Sequence, residues 1–553
     1  MSNTDYEALR GAHAGQPVTS TMMDRPLRVT DLIARAEKLF PMREVVSRLA
    51  PGTIERTSYA QIGDSARRMG AGLAAQGIRP GDRVATLMWN HATHLSCYYA
   101  APAIGAVLHP LNPRLSPEEV AYIVADAGDH VVLVDENLLP FWCEIERYVH
   151  VPLVFVNGNS PGRSNLHKLL GADPLPGWPE DPIDEQDPVS ICYTSGTTGR
   201  SKGVVYTHRS IILHGLGASL PDILGMSSND TIFTLTPMFH VNGWGMPYTI
   251  TLLGARHVLP GPHISPIEIL DMMQAEQVNV AFGIPTIWTA VLHELDTHPG
   301  RWRLHSGLRL YSGGAAPPAE MFRRYDHHGI CLQAGWGMTE CSPVATQAWL
   351  KRELRDMDKS RQLEARTTGG LPLPLVDMRI VDEQGKTLPW DNHAKGELQV
   401  RGPWIAEAYI GHPAPIPACS EDGWLKTGDI ASIRPDGYLR LVDRLKDLVK
   451  SGGEWISSID MENTLMSHPD IYEAAVIAIP DAQWGERPLA VVRLKADRAP
   501  DATAIREFLL GLYPRWMVPE TIEFVAELPK TSVGKLNKLA LRKEYGKRDA
   551  RLG

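Results

Sequence analysis

The feature that most constrains this chain is an alternation. Short β-rich apolar runs trade places with helical patterns from the N-terminal region to about Arg366. Arg83–Met88 leads into a helical pattern from His91. Val131–Val134, Leu153–Val156, Ile232–Leu235, His257–Leu259 and Val278–Phe282 follow, and a helix over Thr286–Leu295 succeeds the last of them. Strands separated by helices pair in parallel, because the crossover that returns the chain carries a helix onto a sheet face. Two or more such units fit before Arg366. Beyond it the pattern turns antiparallel: Met378–Asp382, Gly396–Arg401, and the turn Pro435-Asp436-Gly437 between Ile430–Ile433 and Tyr438–Val442. After Leu445 a further unit begins. It has a helix over Ser458–Met466, strands at Glu473–Ile479 and Leu489–Lys495, a helix over Ala502–Tyr513, a strand at Ile522–Val525 and a terminal helix from Asn537. The expected class is α/β, with a large N-terminal domain of doubly wound sheets over residues 1–444 and a small α+β domain over residues 445–553.

Size and charge narrow the function. A chain of 553 residues exceeds one typical core. A net charge of −9 argues against a general nucleic-acid binder. The stretch from Met1 to Gly15 lacks an apolar signal core, and the longest apolar run, Cys97 to Leu108, is too short to span a bilayer. The six cysteines show no C-x-x-C pair, which fits reduced, mostly buried thiols in a cytoplasmic protein. His91 and His94 stand three apart on a predicted helix, but their neighbourhood lacks the further ligands that zinc needs.

The chemistry concentrates in a few runs. Tyr193-Thr194-Ser195-Gly196-Thr197-Thr198-Gly199-Arg200-Ser201-Lys202-Gly203 follows the apolar Val189-Ser190-Ile191-Cys192. A strand entering a loop of glycines, hydroxyls and one lysine suits a bound phosphate: glycine lets the backbone approach, hydroxyls and amides donate, lysine adds charge. The spacing is not the Walker pattern, and glycine–serine–threonine clusters also form ordinary loops. Leu308–Ser312 reads as a strand that stops at Gly313-Gly314-Ala315-Ala316-Pro317 before a helix over Ala319–His327, leaving a crevice at its carboxyl end or a tight packing turn. In Trp336-Gly337-Met338-Thr339-Glu340 an indole can stack on a base, Thr339 can donate to phosphate, and Glu340 offers a hard oxygen for magnesium. Asp429, after Gly428, can accept from both ribose hydroxyls or cap a turn. Asp443-Arg444-Leu445-Lys446 falls at the proposed boundary, where a surface charge cluster is the plain reading. Lys535, in the loop Pro529-Lys530-Thr531-Ser532-Val533-Gly534-Lys535, could carry charge into a site on the large domain.

Taken in order, YTSGTTGRSKG, GGAAP, WGMTE, GWLKTGD, DRLKD, SGGEWIS and PKTSVGK resemble the adenylate-forming superfamily of acyl-CoA synthetases, luciferases and peptide-synthetase adenylation domains. Thr236–Tyr248 and Ser451–Asn463 look most like the branch of fatty-acyl-CoA and 3-methylmercaptopropionyl-CoA ligases. The resemblance implies a distorted β-barrel within the large domain, a mobile small domain with its hinge at Lys446, a homodimer, and two half-reactions. A carboxylate attacks the α-phosphate of Mg2+-bound ATP to give acyl-AMP and pyrophosphate; coenzyme A then takes the acyl group and releases AMP. It also implies the roles. Thr194, Ser195, Gly196, Thr197, Thr198, Gly199 and Lys202 hold the β- and γ-phosphates. Glu340 holds magnesium, Thr339 contacts the α-phosphate, and Gly337 and Met338 belong to the same ATP/AMP site. Trp336, Gly314, Ala315 and Ala316 frame adenine, Asp429 and Arg444 the ribose. Lys535 bridges carboxylate and α-phosphate. Ser451, Gly452, Gly453, Glu454 and Trp455 swing in to form the coenzyme A path, and His240, Trp244 and Gly283 shape the acyl site. Tryptophan at 336 departs from the usual tyrosine, and Cys341 stands where threonine is common.

The acid is a monocarboxylate, short or medium in chain up to fatty length, with 3-methylmercaptopropionate a named candidate. The expected pocket over His240–Tyr248, Gly283–Thr286, Ser312–Ala316 and Trp336–Val344 has no lysine or arginine to pair a second carboxylate. The alternatives are an enzyme that passes acyl-AMP to a carrier protein, and a non-catalytic nucleotide binder. The chain ends soon after Lys535 with no carrier domain, which favours a free thiol, and Lys535, Glu340 and Asp429 are all present, which favours catalysis.

Overall fold

The computed structural model describes residues 5, 7, 20–179, 184–194, 200–452, 454–496, 498–531 and 536–546. Two large sheets make its centre. One has seven strands in the order Ser164–Asn165, Leu153–Asn157, Val131–Asp135, Arg83–Leu87, Val107–Pro110, Pro188–Tyr193, Gly203–Thr207. Neighbours run parallel except for the last pair. Val131, Val132, Leu133 and Val134 are fully buried, the near-continuous apolar run of a strand covered on both faces.

The other large sheet has nine strands, in the order Leu371–Pro372, Val344–Gln347, Cys331–Gly337, Arg309–Ser312, Val280–Gly283, Thr231–Thr234, Arg256–Leu259, Glu44–Ala50, Thr53–Ser58. Its six central strands are parallel and its margins antiparallel. The hairpin Glu44–Ala50 and Thr53–Ser58 enters this sheet beside Arg256–Leu259, a pairing between distant segments that periodicity cannot reveal. Its register is pinned in part by side chains: Arg256 and Arg56 converge on Glu276, and both also reach Glu44. Local signals agree with the ends of several helices. Ser58 and Gln61 form a capping box, as do Ser265 and Glu268, with Pro266 opening the second helix.

Asp377–Val381, Gly396–Arg401, Leu425–Ile433 and Leu439–Arg444 form an antiparallel sheet of four strands. The expected barrel does not close among the described residues. The outer edge of Leu439 is already occupied, because its amide and carbonyl bond to Gly370 and Gly369.

From Val449 the chain builds a separate sheet of five strands: Glu454–Ile456, Val449–Ser451, Gly485–Leu494 and Ile471–Asp481, with Thr521–Phe524 also pairing to Gly485–Leu494. The two-residue period of Ile471–Asp481 sorts its side chains. Ala474 and Val476 face the helices Ser458–Met466 and Ala502–Leu510, while Ala475 and Ile477 face the terminal helix Lys538–Tyr545. The helix read to Tyr513 stops at Leu510, with Gly511 as its C-cap. The cysteines are all free; Cys97, Cys192 and Cys341 are buried, but Cys143 and Cys331 are exposed, so burial is less general than composition suggested.

Candidate active site

The carboxyl ends of Arg309–Ser312, Val280–Gly283 and Cys331–Gly337 open into a cavity of about 840 Å3, the position at which open parallel sheets bind ligands. Its far wall comes from the C-terminal unit. Thr194, Lys202, Gly314, Ala315, Ala316, Trp336, Gly337, Met338, Thr339, Glu340, Arg444, Lys446, His240 and Trp244 all line it.

At one end the mouth of the loop after Pro188–Tyr193 is drawn together. The Thr194 amide donates to the Lys202 carbonyl (2.9 Å), and the Lys202 amide to Thr194 Oγ1 (3.2 Å). Ser195, Gly196, Thr197, Thr198 and Gly199 lie outside the described residues. Lys202 Nζ sits 4.8 Å above the ring of Tyr409, whose hydroxyl donates to Glu340 Oε1 at 2.5 Å. Burial and the neighbouring Glu340 carboxylate both push the Tyr409 phenol pKa up, so it stays a donor. Glu340 belongs to a short 3-10 turn, Thr339–Cys341, held by bonds from Tyr206 to the Thr339 carbonyl and from Ala406 to the Glu340 carbonyl. Tyr409 was not legible as a site residue. Its strand, Ala408–Tyr409, is two residues long, and nothing local couples it to Glu340.

In the middle, Gly337 is required by close approach: a Cβ there would fall 1.8 Å from the Pro343 carbonyl oxygen. Beside it Trp336 Nε1 donates to Asp429 Oδ2 (2.8 Å), and Arg444 Nε pairs with Asp429 Oδ1 (2.6 Å) from the facing position on the adjacent strand. Asp429 is therefore not an open wall residue. It is 4% exposed and sits behind Trp336 and Arg444, which do line the cavity.

The third arm is apolar. Phe282 and Tyr311 stack with ring centroids 5.1 Å apart, and Tyr311 donates to the Leu224 carbonyl (2.6 Å). Val241, Met246, Ile284 and Pro285 complete this wall, with no lysine or arginine among them. His240 and Trp244 do not share a regular helix face. Val241, Asn242, Gly243 and Trp244 all have positive φ (39°, 38°, 63° and 59°), so the segment is a chain of left-handed turns that aims the indole at the strand end. A Cβ on Gly313 would come 2.8 Å from that indole, which is why a glycine stands there. Gly283 is a correction: its missing side chain faces Trp288, 2.8 Å away, while Phe282 and Ile284 face the cavity.

The C-terminal unit contributes Lys530, Thr531, Leu536, Asn537 and Lys538. The Lys530–Leu536 bridge and the bond from the Asn537 amide to the Pro529 carbonyl (2.8 Å) close the loop that carries Lys535, itself outside the described residues. Below it lies a buried network. Asp443 Oδ2 accepts from the Ser458 amide (2.6 Å), Lys538 Nζ donates to Ser458 Oγ (2.6 Å), and Lys538 also pairs with Glu462 (2.7 Å). Burial raises the Glu462 carboxyl to about 6, against the pull of Lys538. Burial likewise lowers the Lys446 pKa, against Asp447. The expected coenzyme A path is elsewhere in this conformation. Ser451, Gly452, Glu454 and Trp455 do not line the cavity; Ser451 bonds to Arg487, and Gly452 packs on Trp484. Gly453 lies outside the described residues.

One cavity therefore gathers Thr194, Lys202, the buried Glu340 carboxylate and the Trp336 indole together with an apolar wall. Comparison with known proteins identifies the family. Residues 33–410 match the family model described as AMP-binding enzyme, and residues 460–535 the AMP-binding enzyme C-terminal domain. A long-chain-fatty-acid–CoA ligase of Thermus thermophilus is 44% identical over 533 residues, covering 95% of this chain and 97% of that protein. A 3-methylmercaptopropionyl-CoA ligase of Ruegeria lacuscaerulensis is 38% identical over 537 residues, covering 95% and 98%. The crystal structure of the anthranilate CoA ligase AuaEII with anthranoyl-AMP aligns with a TM-score of 0.81 at 25% identity, over 94% of this chain and 98% of that one. The chain belongs to the AMP-binding enzyme family, within its acyl-CoA synthetase branch.

Proposed function

We propose that this protein is an ATP-dependent, AMP-forming acyl-CoA ligase for an apolar monocarboxylic acid. The observation that carries the reading is the meeting, in one cavity, of Lys202, Glu340 and Trp336 with the apolar side chains of Val241, Met246, Phe282, Ile284 and Pro285. The related ligases act on long-chain fatty acids, medium-chain fatty acids and 3-methylmercaptopropionate, which sets the range for the acid.

The first half-reaction needs positioning and charge stabilisation more than covalent catalysis. The loop Thr194–Lys202 would embrace the β- and γ-phosphates. Glu340, a buried carboxylate fixed by Tyr409, has the hard oxygen that suits magnesium carried on phosphate; the ion would neutralise phosphate charge there. Thr339 would donate to the α-phosphate, Trp336 would lie on adenine, and Asp429 with Arg444 would hold the ribose. Lys535 would stabilise the charge that builds between carboxylate and α-phosphate. His240 would stand at the acyl carboxylate, and Trp244 would gate the apolar arm. For the second half-reaction the small domain, residues 445–553, would turn about Lys446 against the large domain, residues 1–444, and bring Ser451–Trp455 to the cavity as the pantetheine path. A homodimer and a cytoplasmic location belong to the same reading.

The test is AMP release from ATP across monocarboxylates from propionate and 3-methylmercaptopropionate to palmitate, with aromatic acids included. AMP rising only with both acid and coenzyme A supports the ligase, and the profile names the acid. Pyrophosphate release that ignores coenzyme A would replace it with a carrier-directed or adenylate-only enzyme.

A further inference from the structure

We propose that Trp336 is a positioning residue for ribose recognition, acting through Asp429, in addition to being an aromatic shelf for the base. The inference rests on the nucleotide-site reading above and concerns what the indole N–H adds to it.

The geometry is specific to an indole. Trp336 lies near the end of Cys331–Gly337, and its Nε1–H, on the flank of the ring, reaches Asp429 Oδ2 at 2.8 Å. A phenol carries its hydroxyl at the tip of the ring and phenylalanine carries no donor, so neither can reproduce this bond while keeping the ring in place. The other oxygen of Asp429 is held by Arg444 Nε at 2.6 Å, but the two partners differ in exposure. The Arg444 side chain is 39% exposed, whereas Trp336 is 7% exposed and wedged in the core between the second sheet and the four-stranded sheet. The Asp429 amide also bonds to Thr427 Oγ1, which fixes the backbone beneath the carboxylate.

A ribose reaching Asp429 must share or displace Arg444, because Asp429 sits behind it. During that exchange the indole bond continues to orient the carboxylate. A carboxylate has about four acceptor positions, of which the indole N–H takes one. The base subsite and the sugar subsite are thus joined by one side chain: the face serves adenine, and the edge sets the sugar's acceptor.

The test uses equilibrium titration of the full-length protein with AMP and with 2′-deoxy-AMP and 3′-deoxy-AMP, which needs no knowledge of the acid. Wild-type protein should prefer AMP. Trp336→Phe keeps an aromatic face and removes the N–H; the preference for AMP should then fall by roughly tenfold, the scale of a hydrogen bond to a charged group, with a much smaller loss for the deoxynucleotides. In an Asp429→Asn background the same change should leave the preference unaltered. Equal loss for all three nucleotides would reduce Trp336 to a stacking surface and overturn the proposal, as would an unchanged preference in Trp336→Phe. Failure of wild-type protein to bind AMP at all would instead overturn the nucleotide-site reading on which it rests.

Discussion

Single side chains divide the labour of this site, and two substitutions separate their roles. Lys535→Ala should cut acyl-AMP formation by about a hundredfold or more, the scale of losing one group aimed at developing charge. Thioester formation from supplied acyl-AMP should persist; equal loss of both steps, measured by separate half-reaction assays, would remove Lys535 from its role. Trp244→Ala should shift the chain-length profile toward longer acids, because the indole abuts Gly313 at the mouth of the apolar arm. An unaltered ratio of kcat/KM for short and long acids would make Trp244 a packing residue. The candidate residues stand out in the sequence because their chemistry is local, a loop of glycines and hydroxyls or an acid beside a glycine, and the structure gathers Thr194, Lys202, Trp336, Thr339, Glu340 and Arg444 around one cavity. Tyr409 does not stand out, since its meaning lies wholly in contacts with Lys202 and Glu340.

At the scale of elements, the strand ends carry the site, and their glycines are set by space. Gly337→Ala would drive a Cβ into the Pro343 carbonyl at 1.8 Å. It should cost about 2–3 kcal/mol, the range of overpacking, seen as a lower midpoint in urea unfolding. AMP affinity should fall with it, since the adjacent turn carries Thr339 and Glu340. The helices and strands of the parallel sheets were close to their expected bounds because apolar periodicity is strong where an element is buried. The segment from Val241 to Trp244 carries no such periodic signal, and its dihedrals are left-handed at four successive positions. Only the surrounding contacts, such as Asn242 Nδ2 with Ser190 Oγ at 2.7 Å, hold it so.

For the whole molecule, the proposed two-step chemistry requires the C-terminal unit to move. The cavity now holds residues flanking Lys535 in sequence, and Ser451, Gly452, Glu454 and Trp455 do not line it. Lys446→Pro, which fixes φ at the proposed hinge, should spare acyl-AMP formation and slow its conversion to thioester by about tenfold or more. If stopped-flow assays of the two steps show them slowed alike, the hinge lies elsewhere. Stability should depend on pH through the core of the large domain. Burial lowers His94, His214 and His257 to about 3 and His208 to about 4. Each is neutral in the folded chain and takes up a proton when the chain unfolds below pH 6.5. Their stabilising contribution is therefore full above pH 6.5 and is lost as pH falls toward 3, at about 1.4 kcal/mol per pH unit for each. Thermal melts from pH 7.5 to 4.5 check the sign, and His214→Gln should reduce the slope by one proton.

The class of fold and the family were readable from the chain alone, because periodicity reports burial element by element and the family's motifs place particular residue types at short spacing. Tertiary structure alone decided what depends on distant segments meeting. It set the strand order that places Glu44–Ala50 beside Arg256–Leu259, and the pairing of Leu439 with Gly369 and Gly370 where closure of a barrel was expected. It also set the retreat of Asp429 behind Arg444 and the joining of Trp336 to Asp429. Those outcomes follow from packing and hydrogen-bond satisfaction between elements far apart in the chain, a balance that no local pattern encodes.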